Sequence, residues 1–495
     1  MNKIFKVIWS KSKQCYIVVS EIAKNKTGKK KIVVASILAA LAMASSVQDV
    51  SAVTGSGRTN SFSDSASGVS FQQGEGLAIG TNTTVASGNT NTVAIGVASV
   101  ANGSSSFAGS GGSTASGKAG QVAIGWSSTD GEGAVAIGGT SDTANGRNTR
   151  AIGSSAVALG IGSVANGSNT FAASGGNANG ESATAIGSSA TASGRGGVAV
   201  GWNSESAVNA VGIGFNAKAK ANNTVAIGVQ ANNDNTISNN YSSVSVGVAT
   251  RARAVGSMAM GVSADASGKY SIALGSGDVT GDYTAGTNYP KASGEKSIAI
   301  GHTTKSDGAS SIAIGTSAVA DSEKAIAIGD SAKGTNIGAT ALGRSSAATA
   351  ASATALGSLA SATGTTATAV GMQASASGAD SLAIGKTASA TSGRSLAVGT
   401  NAKATGANSV AVGSGAGNSG LLGFASSINS SGSVVNTNKT INYATTAEGD
   451  NAVALGYYAN AKNSGVAVGQ NALAATGGVA IGKGVFEDTN NNLAG

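Results

Sequence analysis

The chain has 495 residues, of which 75 are Gly and one is Pro, and aromatic residues make up only 4%. An ordinary globular domain of this length would bury many Phe, Tyr and Trp side chains, so any core here is thin and built from Ala, Val, Ile and Gly. Glycine without a three-residue period excludes collagen, and a hydrophobic content of 41% argues against a disordered chain.

The net charge of +8 comes from the N-terminal segment. Residues 1–31 contain one acid, Glu21, and nine lysines: Lys3, Lys6, Lys11, Lys13, Lys24, Lys26, Lys29, Lys30 and Lys31. The rest of the chain is therefore close to neutral, and its charge gives no reason to expect a nucleic-acid partner.

The first fifty residues are typical of a secretory signal. Lys29 to Lys31 precede an apolar run over residues 32–44, which is too short to span a bilayer as a helix. Small residues then fit cleavage after Ala44 or Ala52, so we expect 1–52 to be removed as an extended signal peptide. Cys15, the single cysteine, lies in that segment, and the mature chain would have no thiol or disulfide chemistry.

Residues ahead of the apolar run carry a family resemblance. Met1 to Trp9, followed by Val18-Val19-Ser20-Glu21, is similar to the extended signal-peptide region of large Gram-negative autotransporters. That resemblance implies export through the inner membrane toward the cell surface.

A three-residue motif recurs from Gly80 to the end of the chain: Ala, then a branched residue or Met, then Gly. We call this motif the repeated phrase. It becomes strictly periodic, with fourteen residues between successive glycines, at Gly301, Gly315, Gly329, Gly343, Gly357, Gly371, Gly385, Gly399 and Gly413. Ala stands two before each of these glycines, and branched or small residues alternate around it, which indicates a short β-strand with one buried face. We interpret these glycines as structural corners of a coil.

A second alternation completes each coil. Ala recurs three and five residues after the coil glycine and Gly recurs at seven, as in Ala360, Ala362 and Gly364. Each coil is thus predicted as two strand–turn halves, with glycine supplying a positive φ at both corners. Stacked coils would form an all-β fold, a narrow parallel β-roll solenoid with a core of Val, Ile and Ala.

The predicted domain boundaries follow from where the repeat is regular and where it is interrupted. We expect a Ser/Gly-rich leader at 53–75, the β-roll at 76–413 with insertions near 97–122, 161–184 and 276–297, an insertion loop at 414–452, and final coils at 453–495. The segments 94–112 and 158–176 are copies, identical at 13 of 19 positions. The copies lead to Trp126 and Trp202, which are either exposed ligand anchors or caps over an irregular coil.

Catalytic constellations are not evident. The single histidine, His302, follows coil glycine Gly301 in a slot that other coils fill with Thr, Asp, Arg, Ser, Met or Lys, as expected for a solvent-facing turn. Residues 112–118 have the spacing of a phosphate-binding loop, but Ala119 replaces the Ser or Thr that would hold magnesium. No Asp recurs in register, so the sequence predicts no metal, no cofactor and no enzyme.

The repeated phrase, seen as Asn408-Ser409-Val410-Ala411-Val412-Gly413, resembles the head repeat of trimeric autotransporter adhesins of the YadA type. The resemblance covers most of 77–485 and implies a left-handed roll, three of which pack side by side as a homotrimer. It also implies a bacterial cell-surface protein that attaches to host matrix such as collagen or fibronectin, or to host cells, with autoaggregation or biofilm formation also open. Candidate ligand-binding residues are then Asn408, Ser409, Val410, Trp126 and Trp202.

Some alternatives stay open. After Gly482 nothing resembles the family's coiled-coil stalk or membrane anchor, so outer-membrane attachment would need an anchor not evident in the sequence, and secretion is the other destination. A thin single roll gains little burial, and an Ala-lined face packed on a neighbour would add to it. The runner-up function is a non-adhesive structural solenoid of the cell surface.

Overall fold

A computed structural model describes residues 5–10, 15–20, 69–72, 76–86, 88–139, 148–232, 242–280, 284–285, 287–415, 422–428, 434–440, 444–487 and 493–494. The chain divides into two compact units, Met1–Thr59 and Asn60–Gly495. In the first unit, Phe5–Ser10 pairs antiparallel with Cys15–Ser20. The two expected cleavage positions and most of the expected signal peptide lie outside the described residues. No helix in the described part of the chain is long and apolar enough to cross a membrane.

The second unit is a parallel β-solenoid, as the sequence predicted, and its described residues are all-β. Each coil contributes one strand to a first sheet, in which equivalent residues of successive coils pair in register. That sheet consists of Gly76–Ile79, Thr92–Ile95, Phe107–Gly109, Val122–Ile124, Val135–Ile137, Val157–Leu159, Phe171–Ala173, Thr184–Ile186, Val198–Val200, Val211–Ile213, Val225–Ile227, Val244–Val248, Met258–Val262, Ile272–Ser276, Ile298–Ile300, Ile312–Ile314, Ile326–Ile328, Thr340–Leu342, Thr354–Leu356, Thr368–Val370, Leu382–Ile384, Leu396–Val398, Val410–Val412, Val453–Leu455, Val466–Val468 and Val479–Ile481. Val69–Gln72, inside the expected leader, pairs antiparallel with its first strand.

The second half of each coil adds a shorter strand, and these strands form two stacks. The first stack holds Thr84–Val85, Val100–Ala101, Ser113–Thr114, Ser127–Thr129, Thr149–Ala151, Val164–Ala165, Asn177–Ala178, Thr191–Ala192, Glu205–Ser206 and Lys218–Ala219. The second holds Arg251–Ala252, Asp265–Ala266, Lys291–Ala292, Lys305–Ser306, Val319–Ala320, Lys333–Gly334, Ala347–Ala348, Ser361–Ala362, Ser375–Ala376, Ser389–Ala390, Lys403–Ala404, Thr446–Ala447, Asn460–Ala461, Leu473–Ala474, Phe486–Glu487 and, antiparallel, Leu493–Ala494. Two further antiparallel pairs are Val279–Thr280 with Thr284–Ala285 and Leu422–Ile428 with Val434–Thr440.

The core is made of alanine, and the prediction that Val and Ile fill it is wrong. Among the described residues the buried apolar side chains are Ala, with Val85 and Pro290 as the exceptions. Ala299 and Ala313, at the centre of their strands, are 0% exposed, while the branched residues beside them point outward. The two strands of a coil therefore lie so close that the space between them is filled mainly by Ala, Ser and Thr side chains. Buried hydroxyls are bonded locally, as where Ser311 Oγ donates to the Gly308 carbonyl at 2.7 Å.

The two corners use glycine for different reasons. The nine periodic coil glycines have φ between 124° and 150°, and a Cβ on Gly357 would lie 2.6 Å from the Gly371 carbonyl oxygen of the next coil. At the other corner the expected positive φ is not on the glycine but two residues later, as at Thr366 with φ 56°. Gly364 itself has no positive φ, but a Cβ on it would lie 2.0 Å from the Gly378 oxygen, so the space there is limited.

The prediction that 97–122 and 161–184 are insertions is wrong. Both segments continue the parallel ladder, through the pairs Val93–Phe107, Phe107–Val122, Val157–Phe171 and Phe171–Thr184. The coils are hidden in the sequence because Gly109 and Ala173 occupy the slot where the repeated phrase has a branched residue. The copied segments are therefore ordinary coils.

Paired residues of the first sheet are nineteen or more positions apart at four places. The paired residues there are Val135–Val157, Val225–Val244, Ile272–Ile298 and Val410–Val453. The last two of these pairs span the expected segments 276–297 and 414–452. Within those segments, Lys291–Ala292 and Thr446–Ala447 nevertheless pair with neighbouring short strands in the second stack. The first two were not expected from the sequence.

Candidate binding surfaces

The outer side of the first sheet is a largely apolar surface, which we call the branched face. It comprises the residues one and three positions before each coil glycine, and in strand after strand these are half-buried or exposed while the Ala between them is buried. Side chains on it that are 37% to 68% exposed include Ile137, Ile213, Ile227, Met260, Leu342, Leu356, Ile384, Val479 and Ile481. Twenty-six stacked strands at roughly 4.8 Å each extend this face over about 120 Å.

This arrangement reverses the expected contact between rolls. An Ala-lined face was expected to pack on a neighbour, but alanine lies inside the roll and the large apolar side chains lie outside. Soluble monomers rarely expose a contiguous apolar patch of more than a few hundred Å². A face of this extent is typical of a surface covered by another subunit.

The outer side of the second sheet is polar and carries ion pairs, all but Lys305–Asp307 between adjacent coils. They are Lys218–Glu205, Lys220–Glu205 at 3.4 Å, Arg251–Asp265 at 3.3 Å, Arg253–Asp265 at 3.4 Å, Lys291–Asp307 at 3.6 Å, Lys305–Asp307 at 2.9 Å, Lys305–Asp321 at 3.0 Å and Lys462–Glu448. Burial raises the pKa of Asp307, but hydrogen bonds from Ser293 and Lys305 and the nearby lysine charges outweigh it and hold that pKa below its ordinary value. This face is therefore polar and solvated, in contrast to the branched face.

The two predicted tryptophans both lie directly after a coil glycine, at the corner between the two sheets. Trp126 is 40% exposed and its ring packs against Gly111 of the preceding coil, where a Cβ would lie 2.9 Å from Cδ2. Trp202 is 54% exposed, and its ring centroid lies 4.8 Å from that of Phe215, which occupies the same slot one coil further on. Both rings thus combine packing against a neighbouring coil with access to solvent.

The predicted residues Asn408, Ser409 and Val410 do not form one surface. Asn408 takes a positive φ of 54° at the second corner, and its amide donates to Asn451 Oδ1 at 3.2 Å. Ser409 is 0% exposed and donates to the Gly406 carbonyl at 2.6 Å. Val410 lies on the branched face. Within a coil these three consecutive residues take different positions: Asn408 lies at a corner, Ser409 in the core and Val410 on the outer side of the first sheet.

Groups that could carry chemistry are isolated. His302 is exposed at its corner, where Nδ1 lies 2.7 Å from the Thr303 hydroxyl. In the part of the chain that the structure describes, no three His, Cys, Asp or Glu residues are close enough together to hold a metal ion.

Comparison with known families agrees with this architecture. Residues 1–48 match the extended signal peptide of the type V secretion system. The YadA head domain repeat matches at 86–108, 144–170, 178–204, 206–231, 252–277, 292–318, 306–332, 335–360, 362–388, 390–416, 443–459 and 447–472, which together cover more than half of the chain. No curated protein matches the chain.

The fold and its outer surfaces define a repeat-built β-solenoid. The chain belongs to the YadA-like family of trimeric autotransporter adhesins, whose heads are β-rolls. It is exported through the type V route and displayed at the cell surface by way of the outer membrane.

Sequence reasoning missed Phe215 and the asparagines beside it. The signal that could have found them is the slot directly after the coil glycine, which holds Trp202, Phe215 and Val229 in three successive coils. Elsewhere the same slot is largely polar, as at Thr316, Asp330 and Arg344.

Proposed function

We propose that this chain is the adhesive head of a homotrimer that attaches the bacterial cell to host extracellular matrix, such as collagen or fibronectin, or to host cell surfaces. Membership of the family supports adhesion in general, and the exposed branched face supports assembly. Autoaggregation would use the same head. The handedness of the roll is proposed to be left-handed, as in the family.

The branched face is the observation that supports assembly into a trimer. Burying an apolar side chain such as Leu356 contributes about 25 cal/mol per Å², and the face repeats that gain in every coil. The polar second sheet offers no comparable gain, because its outer side chains are largely polar and its exposed ion pairs contribute little. We therefore place the branched faces of three chains against one another and the ion-paired faces outside.

The proposal also holds that the head has no catalytic activity. Its single histidine is exposed at a corner, and the family acts by binding. An adhesive solenoid is retained on a host surface, whereas a purely structural one is not. A binding experiment therefore distinguishes the two functions, and a measurement of assembly does not.

Assembly is tested with two matched double variants of the mature chain. Leu342→Asp with Leu356→Asp places carboxylates on the branched face, and Ala347→Asp with Ser361→Asp places them on the second face of the same coils. We expect light scattering to give a trimer for the unmodified chain. The guanidinium midpoint for trimer dissociation should fall for the first pair, because an unpaired buried carboxylate costs several kcal/mol, and stay within error for the second. Equal midpoints would contradict the assignment of the interface.

Adhesion is tested by retention of the mature trimer on immobilised collagen, fibronectin and cultured epithelial cells, with albumin as the control surface. Saturable binding to at least one host surface is expected. A stable trimer that binds none of them would instead support the structural solenoid.

A further inference from the structure

An exposed pair of aromatic rings stands out on a chain that is only 4% aromatic. Trp202 and Phe215 follow coil glycines Gly201 and Gly214 at the same corner of adjacent coils. They are 54% and 38% exposed, with ring centroids 4.8 Å apart and planes inclined at 42°. We call these two residues the aromatic corner. Both rings keep part of their surface exposed, so exposed aromatic surface extends over two adjacent coils.

A pair of amides lies directly beside this aromatic surface. Asn203 and Asn216, the residues after the two rings, both take a φ of 55°. Asn203 Nδ2 donates to Asn216 Oδ1 at 2.9 Å. Within the described residues, that bond leaves the Asn203 Oδ1 acceptor and the Asn216 Nδ2 donor without a protein partner. The corner therefore presents two apolar ring faces together with one hydrogen-bond acceptor and one donor.

The backbone beneath the aromatic corner is fixed by bonds between coils. Asn203 N donates to the Ser188 carbonyl at 2.9 Å, and Asn216 N donates to the Trp202 carbonyl at 2.8 Å. The carbonyl of Asn203 also accepts from Lys218 Nζ at 2.8 Å. A ligand would thus meet a surface already ordered, which reduces the entropy lost on binding.

The electrostatics of the corner favour an uncharged ligand. Lys218, the cation nearest to this backbone, is ion-paired with Glu205, and the aromatic corner and its amides carry no charge. An anionic glycan or a nucleic acid would find no free cation among these residues to offset its desolvation.

We propose that the aromatic corner, with Asn203 and Asn216, binds a neutral oligosaccharide of the host surface. One face of a pyranose ring is an array of C–H groups that carry partial positive charge and stack on the negative face of an aromatic ring. Its hydroxyls both donate and accept, so they match Asn203 Oδ1 and Asn216 Nδ2 together. A proline-rich peptide also stacks on aromatic rings, but its prolines have no N–H to donate to Asn203 Oδ1.

This inference rests on the proposed adhesive function, and it names the ligand class of one surface. The chain offers a direct probe of it. Trp9 lies in the segment removed on export, so Trp126→Phe leaves Trp202 as the sole tryptophan of the mature chain. Its fluorescence then reports on the aromatic corner alone.

The mature Trp126→Phe trimer would be titrated with cellohexaose, maltohexaose and chitohexaose, and separately with a heparin hexasaccharide and a proline decapeptide. We expect a saturable change in Trp202 fluorescence with at least one neutral hexasaccharide. Adding Phe215→Ala should weaken the apparent affinity at least tenfold, and Asn216→Ala about threefold to tenfold. The matched control is Met372→Ala, an exposed apolar residue in the same slot of a distant coil, which should leave the affinity within twofold.

Several results would overturn the inference. They are no saturable change with any neutral hexasaccharide, an affinity unmoved by Phe215→Ala, or saturation by heparin or the proline decapeptide alone. Loss of the trimer in Phe215→Ala, seen by light scattering, would instead identify the corner as a subunit contact. Adhesion to matrix or cells that persists without any saccharide signal would refute this inference and leave the adhesive function standing. Saccharide binding without adhesion to any host surface would refute the proposed function.

Discussion

Replacing single glycines by alanine separates two requirements that the coil places on this residue. Gly357 has a φ of 132°, and an added Cβ would lie 2.6 Å from the Gly371 carbonyl oxygen. Gly477 also has a positive φ, 72°, but open space around the Cβ position. Gly393 has no positive φ, and its Cβ would meet the Ala379 oxygen at an ordinary 3.8 Å. The three sites therefore differ in conformation and in space.

The expected costs follow from these geometries. Gly393→Ala should be neutral or stabilise each chain by about 0.4–1 kcal/mol, because it restricts the unfolded state. Gly477→Ala should cost about 1 kcal/mol, since an L-residue is forced into the left-handed region. Gly357→Ala should cost about 2–5 kcal/mol, because backbone strain is added to overpacking against a carbonyl that cannot move independently of its coil.

The assay is guanidinium unfolding of the mature protein at fixed chain concentration, followed by circular dichroism. Because stacked coils are coupled to their neighbours, amide exchange around residues 343–371 would show whether the damage in Gly357→Ala begins at the substituted coil. Similar midpoints for Gly357→Ala and Gly393→Ala would refute the reasoning that close contact between coils demands glycine.

Three further predictions concern the core, the charged face and a corner. Ala341→Val should destabilise the roll by about 1–3 kcal/mol, because Ala341 is 0% exposed between two strands. Thr340→Val, one residue away on the branched face, should instead leave the unfolding midpoint unchanged or raise it. A larger loss of stability in Thr340→Val than in Ala341→Val would contradict the assignment of Ala341 to the inner side of the strand and Thr340 to the outer side. The pKa of Asp307 is held below its ordinary value, so its contribution is present above the ordinary Asp pKa and lost as pH falls through the folded pKa. Asp307→Asn should therefore cost about 0.5 kcal/mol at pH 7 and nothing in strong acid, and a cost independent of pH in denaturation curves would argue against an electrostatic origin. Asn408→Ala should cost about 1 kcal/mol by removing the Asn451 contact and an asparagine suited to positive φ, while retention on host surfaces is unchanged. Lost retention in a variant that still unfolds normally would restore Asn408 as a ligand contact.

The repeat, the strand character and the stacking of coils are all readable in the residue pattern. Fourteen-residue glycine spacing from Gly301 to Gly413 and a period of two around Ala299 predict a parallel solenoid, because short strands that recur at a constant interval can pair in register with their equivalents. The solvent-facing position of His302 was also readable, since the residues that share its slot in other coils are chemically diverse. The pattern could not identify the ligand surface, because the residues of the phrase Asn408-Ser409-Val410 point in three directions.

Which side of the strand faces inward depends on tertiary structure. An alternation of Ile and Ala is the same pattern whether Ile or Ala is buried, and the usual preference for larger apolar residues in the core gave the wrong answer. The distance between the two strands of a coil is what decides it, since the gap admits Ala299 but not Ile298 or Ile300. Packing between coils likewise explains why a Cβ has little room at Gly364 although its φ is not positive. Pairing in register is what reveals the coil hidden at Phe107. These properties depend on contacts between residues fourteen or so apart, which a linear pattern does not specify.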